Sequence, residues 1–268
     1  MKIATFNING IKARAKALPD WLDEAQPDVA VLQEIKSVDE AFPREIFEER
    51  GYNVETHGQK SFNGVAILSK LTLEDVRRGL PGDDSDEQAR WIEATVVGKQ
   101  AIRICGLYLP NGNPVELDET GAPVSGGKYA YKLAWMERLH SRAKALLAEE
   151  MPALMAGDYN IIPQPEDAKR PDAWAEDALH RPESRAAFQR IVNLGFTEAF
   201  RARHQGPGHY SFWDYQAGAW NRDDGIRIDH FLLTPQAADL LLDCQIDKDV
   251  RGRDKPSDHV PVWVELDI

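Results

Sequence analysis

A carboxylate and an imidazole lie side by side near the end of the chain, at Asp258 and His259. Pro256 precedes the pair and Pro261 follows it, and the fixed φ of proline restricts the backbone on both sides. Across residues 262–266 apolar and polar residues alternate, which predicts a strand buried mainly on one face. The pair is therefore expected at the mouth of a strand. Such pairs are also common at surfaces and caps, so this one indicates chemistry only together with other residues.

Further polar residues stand where predicted strands end, namely Asn7, Glu34, Tyr108, Asp158 and Asn160. Each has a structural interpretation as well. A helix cap would explain Glu34, a turn would explain Asn7 or the Asp158–Asn160 pair, and a core position would explain Tyr108. Taken together these interpretations are strained, because acids at the ends of several buried strands would repel one another unless a cation or a substrate held them.

The donor types in this set favour a particular chemistry. Carboxylate and amide oxygens without clustered cysteines suit a hard cation such as Mg²⁺ or Mn²⁺. A metal, an acid, an amide and an imidazole together are typical of phosphate ester hydrolysis. Asp229 is a further candidate acid, although it could instead pair with Arg227 two residues earlier.

The elements that must position these residues follow from apolar patterning. Strands are predicted at residues 3–6, 28–32, 65–68, 91–97, 102–109, 153–156, 226–233 and 262–266. Helical spacing predicts helices carrying residues 18–25, 42–47, 133–146 and 188–192. Helices alternate with strands, yet several strands follow one another directly. This mixture predicts an α/β fold in which mixed sheets pack on each other with helices outside.

Composition limits the class of protein and of partner. The chain has 268 residues, 43% of them hydrophobic and 28% charged, which is ordinary for a globular domain. No composition break marks a linker, so a single domain is expected over residues 1–268. The net charge of −12 argues against a polyanion partner unless one face gathers the basic residues. Those residues do cluster along the chain, at Lys12, Arg14 and Lys16, at Arg181, Arg185 and Arg190, at Arg201 and Arg203, and at Arg251, Arg253 and Lys255.

Cysteine usage and the N-terminus predict the compartment. Cys105 and Cys244 are too few for a disulfide framework and lie in apolar surroundings, as buried free thiols of a reducing cytoplasm do. The first six residues are typical of a strand and not of a signal peptide. No apolar run approaches membrane-spanning length. A cytoplasmic protein without membrane association is expected.

Eight segments in order along the chain resemble one known family. They are Phe6-Asn7-Ile8-Asn9-Gly10, residues 27–36 with the core Leu-Gln-Glu-Ile-Lys, Phe62-Asn63-Gly64-Val65-Ala66, Tyr108-Leu109-Pro110-Asn111-Gly112, Gly157-Asp158-Tyr159-Asn160, Phe212-Trp213-Asp214-Tyr215, Gly225-Ile226-Arg227-Ile228-Asp229-His230 and Ser257-Asp258-His259. This set resembles the exonuclease III group of DNA repair enzymes, within the endonuclease/exonuclease/phosphatase superfamily. The resemblance implies a four-layered sandwich of two mixed β-sheets flanked by helices, with the site at one edge.

The resemblance also implies roles for individual residues. Glu34 would be the principal Mg²⁺ ligand with Asn7 and Asp258, and Asp158 with Asn160 would offer a second metal position. The catalytic residues would be Tyr108, Asp158, Asn160, Asp229 and His259. In these roles Asp158 activates the attacking water, Asn160 and Tyr108 support the phosphate, and Asp229 orients His259. The residues in contact with DNA would be Asn63, Gly112, Arg185 and Trp213, of which Trp213 would pack against the sugar of an abasic site or strand end.

The sequence departs from the family pattern at several positions. Ala30, Asp223 and Thr234 replace the usual residues away from the chemistry. The loop at residues 166–171 reads Glu-Asp-Ala-Lys-Arg-Pro. Family members usually carry an acid and an aromatic residue or a histidine before this proline, and this sequence does not follow that pattern. Because that loop could face DNA, the balance among activities is left open.

The activity implied is that of a Mg²⁺-dependent AP endonuclease and 3′–5′ exonuclease that also cleans 3′ ends of duplex DNA, leaving a 3′-hydroxyl and a 5′-phosphate. A monomer is expected, with double-stranded DNA carrying abasic sites or 3′ ends as its partner. Two alternatives remain: a phosphatase of the same superfamily acting on inositol phosphates or lipid head groups, and a catalytically silent DNA-binding relative.

Overall fold

The computed structural model describes residues 1–268 and contains twelve strands. They are β1 (Lys2–Asn7), β2 (Val29–Gln33), β3 (Asn53–His57), β4 (Val65–Ser69), β5 (Thr72–Arg78), β6 (Trp91–Val97), β7 (Ile102–Tyr108), β8 (Ala153–Asp158), β9 (Thr197–Glu198), β10 (Asp229–Leu233), β11 (Leu241–Ile246) and β12 (Val262–Leu266). Six α-helices accompany them: α1 (Ala17–Ala25), α2 (Arg44–Glu48), α3 (Lys128–Ala148), α4 (Pro182–Val192), α5 (Ala199–Arg203) and α6 (Pro235–Ala238). Short 3₁₀ turns lie at Lys12–Arg14, Asp39–Ala41, Pro165–Asp167, Pro171–Trp174 and Lys248–Gly252.

The strands form two six-stranded mixed sheets. The first, sheet A, has the order β11-β12-β1-β2-β4-β3, and the second, sheet B, has the order β5-β6-β7-β8-β10-β9. In sheet A, β1 is parallel to β2 and antiparallel to β12. In sheet B, β7 is parallel to β8, and β8 is antiparallel to β10. The carboxyl ends of the parallel pairs and the starts of β10 and β12 therefore meet along one edge of the sandwich.

The core has three parts because both faces of each sheet are covered. In β2, Val31 faces sheet B, whereas its neighbours Ala30 and Leu32 pack against the helical layer outside sheet A. This alternation is expected of a strand whose successive side chains point to opposite faces. The third part lies between sheet B and the helices α3 and α4. The prediction of a four-layered α/β sandwich is confirmed.

The two sheets approach each other closely at Gly106 in β7. A Cβ atom built at this position would lie 2.5 Å from Cγ1 of Val31 in β2. Such a distance is shorter than real carbon–carbon contacts, so a residue without a side chain is required where the sheets are this close.

The helices cover the outer faces. α1 buries Leu18, Trp21 and Leu22 and ends at Gln26, whose left-handed backbone (φ 48°) lets its N–H donate to the carbonyl of Leu22. α3 buries an apolar stripe that includes Trp135, Met136 and Leu139 against sheet B. None of the helices combines the length and the apolar character needed to cross a membrane.

The predicted strand over residues 226–233 begins later than expected. Regular pairing of β10 with β8 starts at Asp229, while Ile226 forms isolated bridges to Ala168 and Phe212. The amide of Arg227 donates to the carbonyl of Asp167. The segment before Asp229 is therefore held mainly by contacts with two loops and not by regular strand pairing.

Candidate active site

Asn7, at the end of β1, joins the two sheets at their common edge. Its Nδ2 donates to Oε1 of Glu34 at 2.9 Å and to Oδ2 of Asp158 at 2.9 Å. Glu34 follows β2 in sheet A, and Asp158 ends β8 in sheet B. Both carboxylate oxygens therefore lie within hydrogen-bond reach of one nitrogen. The structure brings these three predicted residues together.

Glu34 is held in place by its backbone and by a lysine. Its left-handed φ of 51° turns the chain immediately after β2. Nζ of Lys36 lies 2.8 Å from Oε2 of Glu34. Burial alone would raise the pKa of Glu34, but the hydrogen bond from Asn7 and the charge of Lys36 lower it below its usual range. Glu34 is therefore ionised at neutral pH.

Asp258 reaches the same edge from the segment before β12. Its Oδ1 accepts a hydrogen bond from Nδ2 of Asn9 at 3.0 Å and from Oγ of Ser257 at 3.2 Å. The amide oxygen of Asn9 in turn accepts from Nζ of Lys36 at 2.6 Å. Lys36 and Asn9 thus form a bridge between Glu34 and Asp258, the two carboxylates of sheet A at the site.

His259 is buried and bound to Asp229 across the two sheets. The distance from Nδ1 of His259 to Oδ2 of Asp229 is 2.8 Å, and Oγ of Ser211 donates to the same oxygen at 2.6 Å. Nε2 of His259 lies 3.5 Å from Oδ2 of Asp158. Burial would lower the pKa of His259, but the charges of Asp229 and Asp158 raise it. The imidazole is therefore cationic at neutral pH.

The alternative in which Asp229 pairs with Arg227 is not what the structure contains. Nε of Arg227 lies 2.8 Å from Oδ1 of Asp167, and its Nη1 lies 2.9 Å from Oε1 of Glu198. The guanidinium group of Arg227 therefore binds two acids other than Asp229, and Asp229 binds His259.

Asp158 and Asn160 are fixed by local hydrogen bonds. The amide of Asn160 donates to Oδ1 of Asp158 at 2.8 Å, and the side chain of Asn160 donates to the carbonyl of Leu109 at 3.0 Å. Nδ2 of Asn111 donates to Oδ1 of Asn160 at 3.1 Å. Burial and the neighbouring Asp229 raise the pKa of Asp158, although His259 opposes this. Asp158 is therefore a stronger proton acceptor than an ordinary aspartate.

Tyr108, at the end of β7, adds a neutral donor. Burial, followed by the charges of Glu34 and Asp158, raises the pKa of its phenol well above the usual range. The guanidinium carbon of Arg90 lies 4.8 Å from the centre of the ring. The hydroxyl therefore keeps its proton and can donate a hydrogen bond to an oxyanion.

The donor set at this edge fits a divalent cation. The ligand atoms of Asp158, Asp229 and His259 all lie within 4.8 Å of one another, and this buried group could bind a metal ion through its two carboxylates, with His259 joining them only as a neutral imidazole. Oδ1 of Asp229 is buried without a hydrogen-bond partner, which is costly unless a cation or a substrate group meets it. The predicted ligands Glu34 and Asp258 add carboxylate oxygens, the donors that hard cations prefer.

The surroundings of Trp213 favour a structural role over the predicted contact with DNA. Its side chain is fully buried, and its indole ring lies 5.0 Å from that of Trp220. Its Nε1 donates to Oδ1 of Asp223 at 3.1 Å. The satisfied donor and the buried apolar area of this indole support the core interpretation, and a contact of Trp213 with DNA stays a prediction. The neighbouring Phe212 is the aromatic that faces the site, with its ring 5.0 Å from that of His259.

The other three residues predicted to contact DNA have structural surroundings of their own. Asn63 is 8% exposed, and its side chain donates to Gln59 and Gln88. Gly112 has a left-handed φ of 91°, and a Cβ there would lie 2.6 Å from Cδ of Lys132. Arg185 has a buried Nε without a partner. A role of these residues in DNA binding stays a prediction.

Several residues at the site were not singled out from the sequence, namely Asn9, Lys36, Asn111, Ser211 and Lys132. The first four lie inside or next to the segments that carry the family resemblance, so their neighbourhood was a usable signal. Lys132 lies in α3 outside those segments, and no sequence pattern marks it. Burial lowers the pKa of Lys132 to about 7, against the opposing charges of Asp177 and Asp158.

Most of the basic clusters are engaged within the protein. Arg181, Arg190 and Arg253 pair with glutamates, and Arg201 pairs with Asp167. These ion pairs reduce the positive charge that the clusters could offer to a polyanion. Beside Phe212 the surface forms a cleft of about 430 Å³, whose walls include Trp174, Phe212 and Ile226.

Comparison with known proteins places the chain among nucleases. A model of the endonuclease/exonuclease/phosphatase family matches residues 4–259. The chain is 37% identical to "Exodeoxyribonuclease III" of Haemophilus influenzae over 99% of this chain and 100% of that protein. It is 36% identical to an AP endonuclease structure from Archaeoglobus fulgidus, with a TM-score of 0.90 and full coverage of both chains. It is 34% identical to a 3′–5′ exonuclease structure from Neisseria meningitidis, with a TM-score of 0.92 and full coverage of both chains. With the two-sheet fold and the buried acid–imidazole site, this similarity shows that the chain belongs to the endonuclease/exonuclease/phosphatase family.

Proposed function

We propose that the chain is a Mg²⁺-dependent DNA repair phosphodiesterase that can also use Mn²⁺. It cuts duplex DNA 5′ of abasic sites and removes nucleotides or blocking groups from 3′ ends, leaving a 3′-hydroxyl and a 5′-phosphate. The observation that carries the proposal is the buried His259–Asp229 pair, bonded at 2.8 Å and lying beside Asp158. A cationic imidazole beside a proton-accepting carboxylate is suited to hold a phosphate and to activate water.

The residues of the site divide the work. Glu34, Asn7 and Asp258 would hold the cation, which when bound lowers the pKa of water and neutralises negative charge on the phosphate. Asp158 orients the attacking water and accepts its proton. The imidazolium of His259 binds a non-bridging phosphate oxygen, and Asp229 keeps it protonated.

Two neutral donors complete the arrangement. The phenol of Tyr108 and the second amide hydrogen of Asn160 stabilise the charge that develops as water attacks in line and the 3′ oxygen leaves. Only one hydrogen of the Asn160 side-chain amide is used by Leu109, so the other is free for this purpose.

DNA is the substrate class that the relatives support, because those named above are an exodeoxyribonuclease, an AP endonuclease and a 3′–5′ exonuclease. The surface offers a contact for it. Phe62 is 69% exposed, and it precedes Asn63, whose carbonyl accepts a hydrogen bond from the amide of Lys36 at 3.0 Å. An exposed phenyl ring beside the site is suited to stack on nucleobases. We expect the protein to act as a monomer in the cytoplasm.

The substrate is tested with a labelled abasic duplex, a blunt duplex and an inositol polyphosphate, each incubated with Mg²⁺ or with EDTA. Cleavage of the two duplexes with Mg²⁺ alone is expected. Release of phosphate only from the inositol compound would replace the proposal by a small-molecule phosphatase. Binding of the duplexes without cleavage under any condition would indicate a silent DNA-binding protein.

The metal ligand is tested with Glu34→Gln, which keeps the shape of the side chain and removes its charge. We expect activity to fall steeply and to recover partly at high Mg²⁺. Mn²⁺ binding without DNA, followed by the electron paramagnetic resonance of the free ion, should weaken in parallel. Glu137→Gln, at an exposed ion pair with Arg190, is the matched control. Unchanged Mn²⁺ binding by Glu34→Gln would overturn the assignment.

A further inference from the structure

Lys132 in α3 is completely buried and forms no ion pair. Its Nζ donates to the carbonyl of Asn160 at 2.7 Å and to the carbonyl of Asn111 at 3.0 Å. No carboxylate lies within salt-bridge distance, so the cost of removing the amine from water is met only by neutral carbonyls. An amine buried in this way is expensive, and its location at two site loops suggests what it does.

Arg142 on the same helix shows what an ordinary buried cation looks like here. It is 8% exposed, and its guanidinium group binds both oxygens of Glu93 and one oxygen of Glu149. Its charge is balanced by acids away from the site edge. Lys132 differs because its partners are main-chain groups of the segments that follow β7 and β8.

Those two segments carry the chemistry of the proposed function. Asn160 lies two residues after Asp158, and Asn111 lies three residues after Tyr108. Nδ2 of Asn111 donates to Oδ1 of Asn160, and the amide of Asn160 donates to Asp158. The amine of Lys132 therefore fixes the backbone beneath a chain of hydrogen bonds that ends at a catalytic carboxylate.

The packing around the lysine is matched to this role. Gly112 lies against the lysine stem, where a Cβ would meet Cδ of Lys132 at 2.6 Å and Cβ of Ala178 at 3.0 Å. The stem has no room to swing away, so the amine stays between the two carbonyls. Two N–H groups are enough for this contact, and it does not depend on whether the amine is protonated.

We propose that Lys132 is a positioning residue, which ties the Asn111 and Asn160 carbonyls together and so sets the orientation of Asn160 and Asp158 toward the phosphate. This inference rests on the proposed function, since it assigns Asn160 and Asp158 to the reaction. It adds a residue of the outer helical layer to the machinery of the site.

The test compares Lys132→Met with Arg142→Met. Lys132→Met should lower kcat on the abasic duplex about 10–100-fold, the range expected when a reacting group is misplaced by about 1 Å, and should change KM much less. Arg142→Met should lower the melting temperature and leave kcat unchanged at temperatures where it is folded. A normal kcat for folded Lys132→Met would overturn the proposal.

A double-mutant cycle separates positioning from general destabilisation. If Lys132 acts through Asn160, the loss in the double variant Lys132→Met/Asn160→Ala should be smaller than the product of the two single losses, because the part that passes through the Asn160 side chain is already gone. Fully multiplicative losses would overturn the proposal. If Lys132→Met does not fold, Lys132→Gln takes its place, and failure of both variants to fold would assign Lys132 to the fold alone.

A readout without substrate keeps this test separate from that of the proposed function. The side-chain amide signals of Asn111 and Asn160 in ¹H–¹⁵N spectra should shift in Lys132→Met and stay in place in Arg142→Met. If the wild-type protein cleaves no DNA, the proposed function is refuted. The amide signals would still show whether Lys132 holds the Asn111 and Asn160 segments together. Signals that do not shift in Lys132→Met would refute the proposed positioning of these two segments by Lys132.

Discussion

Two buried polar clusters lie on opposite sides of β10, and they treat charge differently. Asp229 and His230 are neighbours in that strand, so their side chains point to opposite faces. Asp229 belongs to the candidate site with His259 and Asp158. His230 belongs to a second cluster with Arg227 and Glu198, which we call the ion network and which also contains Asp167 and Arg201.

The ion network is balanced. Two guanidinium groups, those of Arg227 and Arg201, face the carboxylates of Asp167 and Glu198. Burial would raise the pKa of Glu198, but Arg227 lowers it to about 2. Nδ1 of His230 lies 3.0 Å from Nη1 of Arg227, which can only donate, so this imidazole nitrogen accepts there. Every charge in this cluster has an opposite partner.

The candidate site is not balanced. Four carboxylates, those of Glu34, Asp158, Asp229 and Asp258, face the cations of Lys36 and His259. Burial, together with the charge of Asp229, raises the pKa of Asp158, and Oδ1 of Asp229 has no hydrogen-bond partner. The comparison shows that the same residue types can have two roles. They stabilise the fold where their charges cancel, and they can bind a cation or a substrate where negative charge is in excess.

The largest effect is expected from Asp229→Asn, which keeps the size of the side chain and removes its charge. Because Asp229 raises the pKa of His259, the imidazole should lose its proton at lower pH in the variant. The alkaline limb of the cleavage profile should move to lower pH, and kcat should fall by roughly 10²–10⁴. Steady-state kinetics across pH on an abasic duplex measures both effects.

The stability of the same variant is its control. Removing one carboxylate from an over-acidic cluster relieves repulsion, so the melting temperature of Asp229→Asn should not fall greatly. A large loss of stability with normal turnover per folded molecule would show that Asp229 serves the fold, and the contrast between the clusters would disappear.

The opposite result is expected from Arg227→Met in the ion network. Removing the cation leaves Asp167 and Glu198 buried without their main partner, which should cost about 3–5 kcal/mol of unfolding free energy. Turnover per folded molecule should stay close to wild type. Urea unfolding and kinetics at low temperature measure the two quantities. A variant that is stable but as inactive as Asp229→Asn would place the network in the reaction.

A smaller effect, with a defined pH dependence, is expected from Glu198→Gln. The pKa of Glu198 in the folded protein is about 2, below its usual 4.5. The ionised carboxylate therefore stabilises the fold above pH 4.5, and this contribution is lost as the pH falls toward 2. The variant should lose about 1–3 kcal/mol at neutral pH. Its unfolding free energy should then decline less steeply than that of the wild type between pH 4.5 and 2. Parallel declines would contradict the assignment.

The sequence predicted the buried strands and the polar residues at their ends well, because each strand is an apolar run and the run stops where the polar residue begins. Patterning indicated stacked mixed sheets with helices outside, and the family resemblance specified four layers with two sheets. β3, β5, β9 and β11 were missed because their residues are partly exposed and form no apolar run. An edge strand of this kind leaves little trace in hydrophobic patterning.

Contacts between residues far apart in the chain could not be predicted from the sequence. Arg227 binds Asp167, 60 residues away, and Glu198, 29 residues away, so its neighbour Asp229 was an equally reasonable partner. The DNA contact of Trp213 came from the family resemblance, and the sequence alone could not separate it from core packing, because aromatic residues serve both cores and nucleic-acid surfaces. Lys132 carries no signal because a charged residue in an amphipathic helix is ordinarily on the solvent side.

The close approach of Gly106 to Val31 gives the protein a mechanical property. Sheet A supplies Glu34 and Asp258, and sheet B supplies Asp158, so the gap between the proposed metal ligands and the proposed proton acceptor is set by how far apart the sheets stand. A methyl group at position 106 would act as a wedge between them. Such a substitution would increase the distance between the metal ligands and the proton acceptor. Catalysis would then be lost although each residue of the site kept its own side-chain conformation.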